Sequence, residues 1–154
     1  MRPFFTAVAL SAITVLTAPA WAGSDDLIRV KAAGDVPATM DALEQAVEGA
    51  GATVFARVDH AAGAEAAGME LAPAQLLIFG NPKLGTPAMQ DDALAGLYLP
   101  LKVLVYRDGD GQVWLTYDDP AQSLGDLDGI APDAGYIAKM TGALAKLTGK
   151  ASGM

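Results

Sequence analysis

Cysteine is absent from the 154 residues. That excludes disulfides, thiol nucleophiles, iron–sulfur clusters held by cysteine and every thiolate zinc site. Histidine occurs once, at His60, so one chain cannot build a His-rich metal site. Bases are few: 10 Lys and Arg stand against 18 Asp and Glu, a formal net charge of −8. Nucleic-acid binding needs a Lys/Arg surface against the phosphates, and this balance argues against it. Serine is scarce as well. Beyond the N-terminal segment only Ser24, Ser123 and Ser152 occur, none within Gly-x-Ser-x-Gly. What the chain does have is apolar content, 52% of residues with a mean hydropathy of +0.29. That is too apolar for disorder, and the length suits one compact domain.

The longest apolar stretch comes first. Arg2 supplies a positive start, Phe4 to Ala18 is mostly apolar, Pro19 breaks the run, and Ala20-Trp21-Ala22 is a small-x-small site. The pattern predicts a signal peptide over 1–22, cleaved after Ala22, because the run is shorter than the roughly 20 residues needed to span a bilayer. Residues 23–154 are then expected as one exported, periplasmic domain without a stable membrane span. Such a compartment disfavours ATP- or NAD-dependent chemistry, and no cofactor is expected.

The remainder reads as α+β. Leu27 to Ala32 has the alternation of a strand. Asp35 and Pro37 open a helix as N-cap and early-turn proline, Met40, Leu43 and Val47 share its apolar face, and Gly49 and Gly51 close it. Thr53 to Asp59 is a second strand, expected to place Val54, Ala56 and Val58 on one face and Phe55 and Arg57 on the other. Ala61 to Met69 suits a short helix. Leu76 to Phe79 is a continuous apolar run, the pattern of a strand buried on both sides. Leu84 to Leu94 suits another short helix. Leu99 to Arg107 and Gln112 to Tyr117 are strands joined by the hairpin signal Asp108-Gly109-Asp110-Gly111. Ile137, Met140, Leu144 and Leu147 form a helical stripe after Asp133, with Gly149 to Met154 expected to fray. The order β-α-β-β-β-β-α predicts a mostly antiparallel sheet with helices on one face.

Few motifs carry chemistry. Asp108-Gly109-Asp110-Gly111 begins like a calcium loop, but position 6 is Val113 where glycine is needed, and a hairpin turn fits better. Asp91-Asp92 and Asp118-Asp119 suit helix caps or solvent. Gly80-Asn81-Pro82-Lys83-Leu84-Gly85-Thr86 lacks the lysine of a phosphate loop after its second glycine, and Pro82 removes an amide. A turn opening a helix could still aim amides at a small anion near Lys83. His60, beside Asp59, can serve as a general acid/base, a haem ligand or, with Met69 and Met89, part of a copper(I) site; a packed strand-end histidine is the plainer account. A Ser-His-Asp arrangement would have to use Ser123. Lys102 shares a strand face with Leu104 and Tyr106, opposite Leu101, Val103 and Val105. It either covers apolar surface with its stem or lines a cavity, where it could bind an anion or pair with Asp59 or Asp118.

Three stretches taken in order carry a resemblance: Phe79-Gly80-Asn81-Pro82, Gly96-Leu97-Tyr98-Leu99-Pro100-Leu101-Lys102, and the hairpin with Tyr117-Asp118-Asp119-Pro120. With Val54 to His60 they resemble the bacterial family called domain of unknown function 302 over Leu27 to Leu147. The resemblance implies a fold similar to the TATA-binding-protein half-domain, frequent homodimers and no reaction, and a fold alone does not supply a function. The expectation is an exported small-ligand-binding or accessory domain with His60, Asn81 and Lys102 around one groove, suited to a polar or anionic ligand. One alternative is a hydrolase or isomerase with His60 as general acid/base and Lys102 stabilising negative charge. Another is a homodimer pairing an apolar face and Trp114 across a two-fold axis, with no small ligand.

Overall fold

The computed structural model describes residues 27–154, so the leader expected at 1–22 lies outside the described residues. Five strands form one sheet: β1 (Leu27–Ala32), β2 (Thr53–Asp59), β3 (Ala74–Gly80), β4 (Leu101–Arg107) and β5 (Val113–Asp118). Their spatial order is β1-β5-β4-β3-β2, and every neighbouring pair is antiparallel. Two long helices, α1 (Val36–Gly49) and α6 (Gly135–Ala151), pack on one face. Four shorter ones decorate the connections: α2 (His60–Ala66), α3 (Pro82–Asp91), α4 (Ala95–Tyr98) and α5 (Pro120–Ser123). The α+β class and the β-α-β-β-β-β-α order hold, with α2 to α5 as inserts.

Local chemistry sets these elements. Asp35 Oδ1 accepts from the Ala38 N–H at 2.9 Å, capping α1, whose Met40, Leu43 and Val47 are fully buried. They meet Leu77 and Phe79 of β3, Val103 and Val105 of β4 and Leu115 of β5, with Leu144 and Leu147 of α6 closing the same core. Asp119 caps α5 through the Ala121 N–H. Asp91 is exposed and accepts from the Tyr136 hydroxyl of α6 at 2.8 Å, while Asp92 accepts from the Leu94 N–H ahead of α4 at 2.9 Å and from the Gly129 N–H at 3.3 Å. A Cβ at Gly129 would stand 2.7 Å from the Asp91 carbonyl, so the close approach requires glycine.

Three expectations change. A bulge at Phe55 shifts the β2 register between Val54, opposite Phe79, and Ala56, opposite Ile78. Val54 therefore faces the helices while Ala56 and Val58 face the other way, because the extra residue reverses the alternation. The β3 run is buried on one side only: Leu77 and Phe79 are enclosed, whereas Leu76 and Ile78 remain partly exposed. The C-terminal end does not fray at Gly149. Helix α6 continues to Ala151, which is buried, and the Ser152 carbonyl accepts from the Ala33 N–H at 2.9 Å.

Candidate functional site

Antiparallel pairing decides which candidates can meet. In the β2–β3 pair Thr53 stands opposite Gly80 and Asp59 opposite Gln75. Asn81 therefore leaves the sheet at one end and His60 at the other. The strand between them spans about 20 Å. Lys102 pairs with Ile78, near the Asn81 end.

At the His60 end, Asp59 caps α2 by accepting from the Ala62 N–H at 2.9 Å, and its other oxygen accepts from the Gln75 amide at 2.8 Å. The Ala62 N–H is the main reason its carboxyl sits below the ordinary aspartate value; burial opposes it and the Gln75 bond assists. His60 begins the helix with its side chain exposed. Ser123 lies in α5 after β5, at the Asn81 end, so no Ser-His-Asp arrangement forms with His60. Met69 follows α2 while Met89 lies in α3, so they cannot share a copper site with His60.

Lys102 projects from the sheet face opposite the helices. It is half-buried, its Nζ donates to the Tyr98 carbonyl at 3.3 Å, and it borders a narrow cleft with Tyr98 and Asp118. Among the described residues it has no carboxylate partner within ion-pair distance, and Asp59 is at the opposite sheet end. Asp118 also borders the adjoining cleft of about 270 Å³ with Asp126, an acidic lining that disfavours an anion there. The Lys102 ammonium cannot support chemistry at His60, so the joint acid/base arrangement is not formed.

Asn81 stands at a different opening. Its Oδ1 accepts from the Lys83 N–H at 3.0 Å, and its carbonyl accepts from the Leu84 and Gly85 amides at 2.9 and 3.0 Å. Those are the amides a small anion would have used, so the turn is closed to one. Pro82 then sits at the first helical position, where its missing N–H costs nothing. Beneath this cap lies a cavity of about 350 Å³, bounded by Phe55, Asn81, Met89, Leu99, Pro100 and Met140 among others. Among the described residues no charged side chain lines it. Gly80 lets the Phe55 ring lie against the strand, since a Cβ there would be 3.2 Å from the ring. Gly85 opens the wall: its Cβ would meet Leu99 at 3.6 Å and Met89 at 4.0 Å. Phe55 and Met89 at the mouth are 56% and 42% exposed.

Leu99 and Leu101 border both this cavity and the Lys102 cleft, forming the wall between them. The three candidates thus occupy separate places: Asn81 in the apolar cavity, Lys102 beyond its wall, His60 at the far sheet end. Phe55, Met89 and Met140 were missing from the expected site. Met140 reads as core from its helical stripe, and the signal for Phe55 is an aromatic next to a register break that alternation does not reveal.

Residues 28–147 match the family profile described as Domain of unknown function DUF302. The chain belongs to that family. The Fluoride-specific ion channel FluC 1 of Brucella suis biovar 1 is 42% identical over 121 residues, covering 75% of this chain and 46% of that protein. The Fluoride-specific ion channel FluC 2 of Brucella melitensis biotype 1 is likewise 42% identical over 121 residues, with 43% of its length covered. The chain spans less than half the length of these curated relatives. A crystal structure of an uncharacterized conserved protein DUF302 from Bacillus stearothermophilus superposes with a TM-score of 0.74 at 19% identity. That likeness covers 83% of this chain and 99% of that one, and at this identity it shows the fold alone.

Proposed function

We propose that this DUF302 chain is an exported accessory domain that binds an uncharged, mainly apolar small molecule. The observation that carries the reading is the cavity beneath the Asn81 cap, apolar on its walls and free of charged lining residues. Its size falls within the range of small-molecule sites, which join apolar walls to a few polar groups. With Oδ1 held by the Lys83 amide, Asn81 keeps its Nδ2 hydrogens to orient a carbonyl or hydroxyl. An anion is disfavoured because neither Lys83 nor Lys102 lines the cavity, and Lys102 lies beyond the Leu99–Leu101 wall.

The accessory part of the reading draws on the relatives named as fluoride-specific ion channels. A channel must cross a bilayer, and no helix among the described residues is long and apolar enough to do so. We read this chain as the counterpart of a portion of those proteins outside the pore. Fluoride itself does not suit the apolar cavity.

The test is an NMR titration of the protein with neutral medium-chain alcohols and amides, with sodium fluoride as a control. Gly85→Leu should fill the cavity and weaken binding by roughly tenfold, about 1.4 kcal/mol. Alcohols and amides should shift resonances of Phe55 and Met89, and fluoride should not. Equal affinity for the wild type and Gly85→Leu, or no binding at all, would end this reading.

A second reading is a self-associating module, and one observation favours it. Every buried strand residue except Thr116 points toward the helices, leaving Val58, Leu76, Ile78, Leu104, Tyr106 and Trp114 on an open sheet face. Two facing copies would cover this surface.

A further inference from the structure

A broad opening lies at the sheet end opposite the apolar cavity. It encloses about 810 Å³ between the start of α1, helix α2 and the 69–73 connection. Its apolar lining includes Pro37, Met69 and Leu71, and the last two are 62% and 53% exposed. Its charged lining is acidic throughout: Asp59, Glu65 and Glu70, with no Lys or Arg. The nearby Arg57 is already engaged, donating to Asp41 at 2.6 Å, to Glu44 at 3.1 Å and to Gln75.

The backbone adds an independent feature. Residues 69–73 have no regular secondary structure. The Met69 N–H reaches the Ala64 carbonyl and the Pro73 carbonyl accepts from Arg107, but Glu70, Leu71 and Ala72 between them make no hydrogen bond among the described residues. Three successive peptide groups are therefore free beside two exposed apolar side chains and two exposed carboxylates. Extended peptides are held by this combination, in which main-chain bonds supply affinity and side-chain pockets supply selectivity.

We propose that this groove docks an extended segment of a partner protein whose apolar residues alternate with Lys or Arg. The apolar residues would pack on Met69, Leu71 and Pro37, where the flexible thioether adapts to differing shapes. The cations would face Glu65 and Glu70, and the segment's backbone would pair with residues 70–72. An acidic rim repels nucleic acid and anionic lipid, so the charge selects a basic polypeptide. The site is separate from the apolar cavity, and the inference does not depend on what that cavity binds.

The experiment is fluorescence anisotropy with the full chain and two labelled, end-blocked peptides, one alternating Leu with Lys and the other Leu with Glu. The Lys peptide should bind and the Glu peptide should not. Glu65→Lys/Glu70→Lys should weaken the Lys peptide by roughly tenfold or more, and added salt should weaken it further. Met69→Ser/Leu71→Ser should also lose affinity. All four positions are exposed, so circular dichroism should show unchanged folding. Gly85→Leu should bind the Lys peptide as the wild type does. The proposal is overturned if the wild type ignores the Lys peptide or if the charge-reversed variant binds it equally. Self-association of the wild type that Met69→Ser/Leu71→Ser abolishes would also overturn it, assigning the groove to a second copy.

Discussion

Asp108 accepts three hydrogen bonds within one tight turn. Its Oδ1 takes the Asp110 and Gln112 amides at 3.0 and 2.9 Å, and its Oδ2 takes the Trp114 indole N–H at 2.7 Å. The indole bond is the main reason its carboxyl lies below the ordinary aspartate value; burial opposes it, and the two amides and Arg29 assist. A depressed folded-state value means the contribution is present above the unfolded aspartate value, about 3.9, and is lost as pH falls through the lower folded value. The Trp114 indole N–H resonance is expected to move in that acid window, and Asp108→Asn should remove the movement. A resonance that titrates alike in both proteins would assign it to another carboxylate. The same residue shows why a calcium loop fails here: the carboxylate oxygens are occupied by the hairpin's own donors.

Helix α3 depends on its capping residue and on the strand before it. Asn81 directly follows β3, caps α3 and borders the apolar cavity, so one side chain joins strand, helix and cavity. Asn81→Ala should cost about 1 kcal/mol, read as a lower urea midpoint with unchanged slope, whereas Asn81→Asp should keep most of the stability. A midpoint equal to wild type in Asn81→Ala would show that the cap contributes nothing. The sequence pattern begins this helix at Leu84, whereas the Asn81 cap starts it at Pro82 and it stops at Asp91; Asp35 with Pro37 make the start of α1 legible. The bulge at Phe55 is not legible, because Val54-Phe55-Ala56 reads as simple alternation until β3 supplies the partner that fixes its register.

Over the whole molecule, polarity is divided between the two faces of the sheet. The helix face is sealed by α1 and α6, while the open face carries apolar residues on β2 to β4 and a stacked group across β1, β5 and β4. Arg29 lies 5.1 Å from the Trp114 ring centre and 5.7 Å from that of Tyr106, an arrangement worth about 0.5–1 kcal/mol at an exposed site. Five strands of this length make a face on the order of 500 Å². A stable interface buries about 800 Å² per partner, so self-association would also need the rim of the sheet. If two copies meet there, sedimentation should show a dimer that Ile78→Lys/Leu104→Lys converts to monomer. A wild type that stays monomeric across dilutions would remove that reading.

The chain alone determined its strands, its two main helices, the capped start of α1 and the core stripes of Met40-Leu43-Val47 and Met140-Leu144-Leu147. These follow from periodicity and capping, which act between residues close in sequence. The resemblance carried by Gly80-Asn81-Pro82 and Gly96 to Lys102 likewise needed only local order. Which candidates share a site was decided by tertiary structure. Antiparallel pairing sends His60 and Asn81 to opposite ends of the sheet, and the face that Lys102 occupies turns it from the cavity Asn81 borders. Phe55 and Met140, distant in sequence, meet at that cavity because strand register and helix packing are long-range constraints.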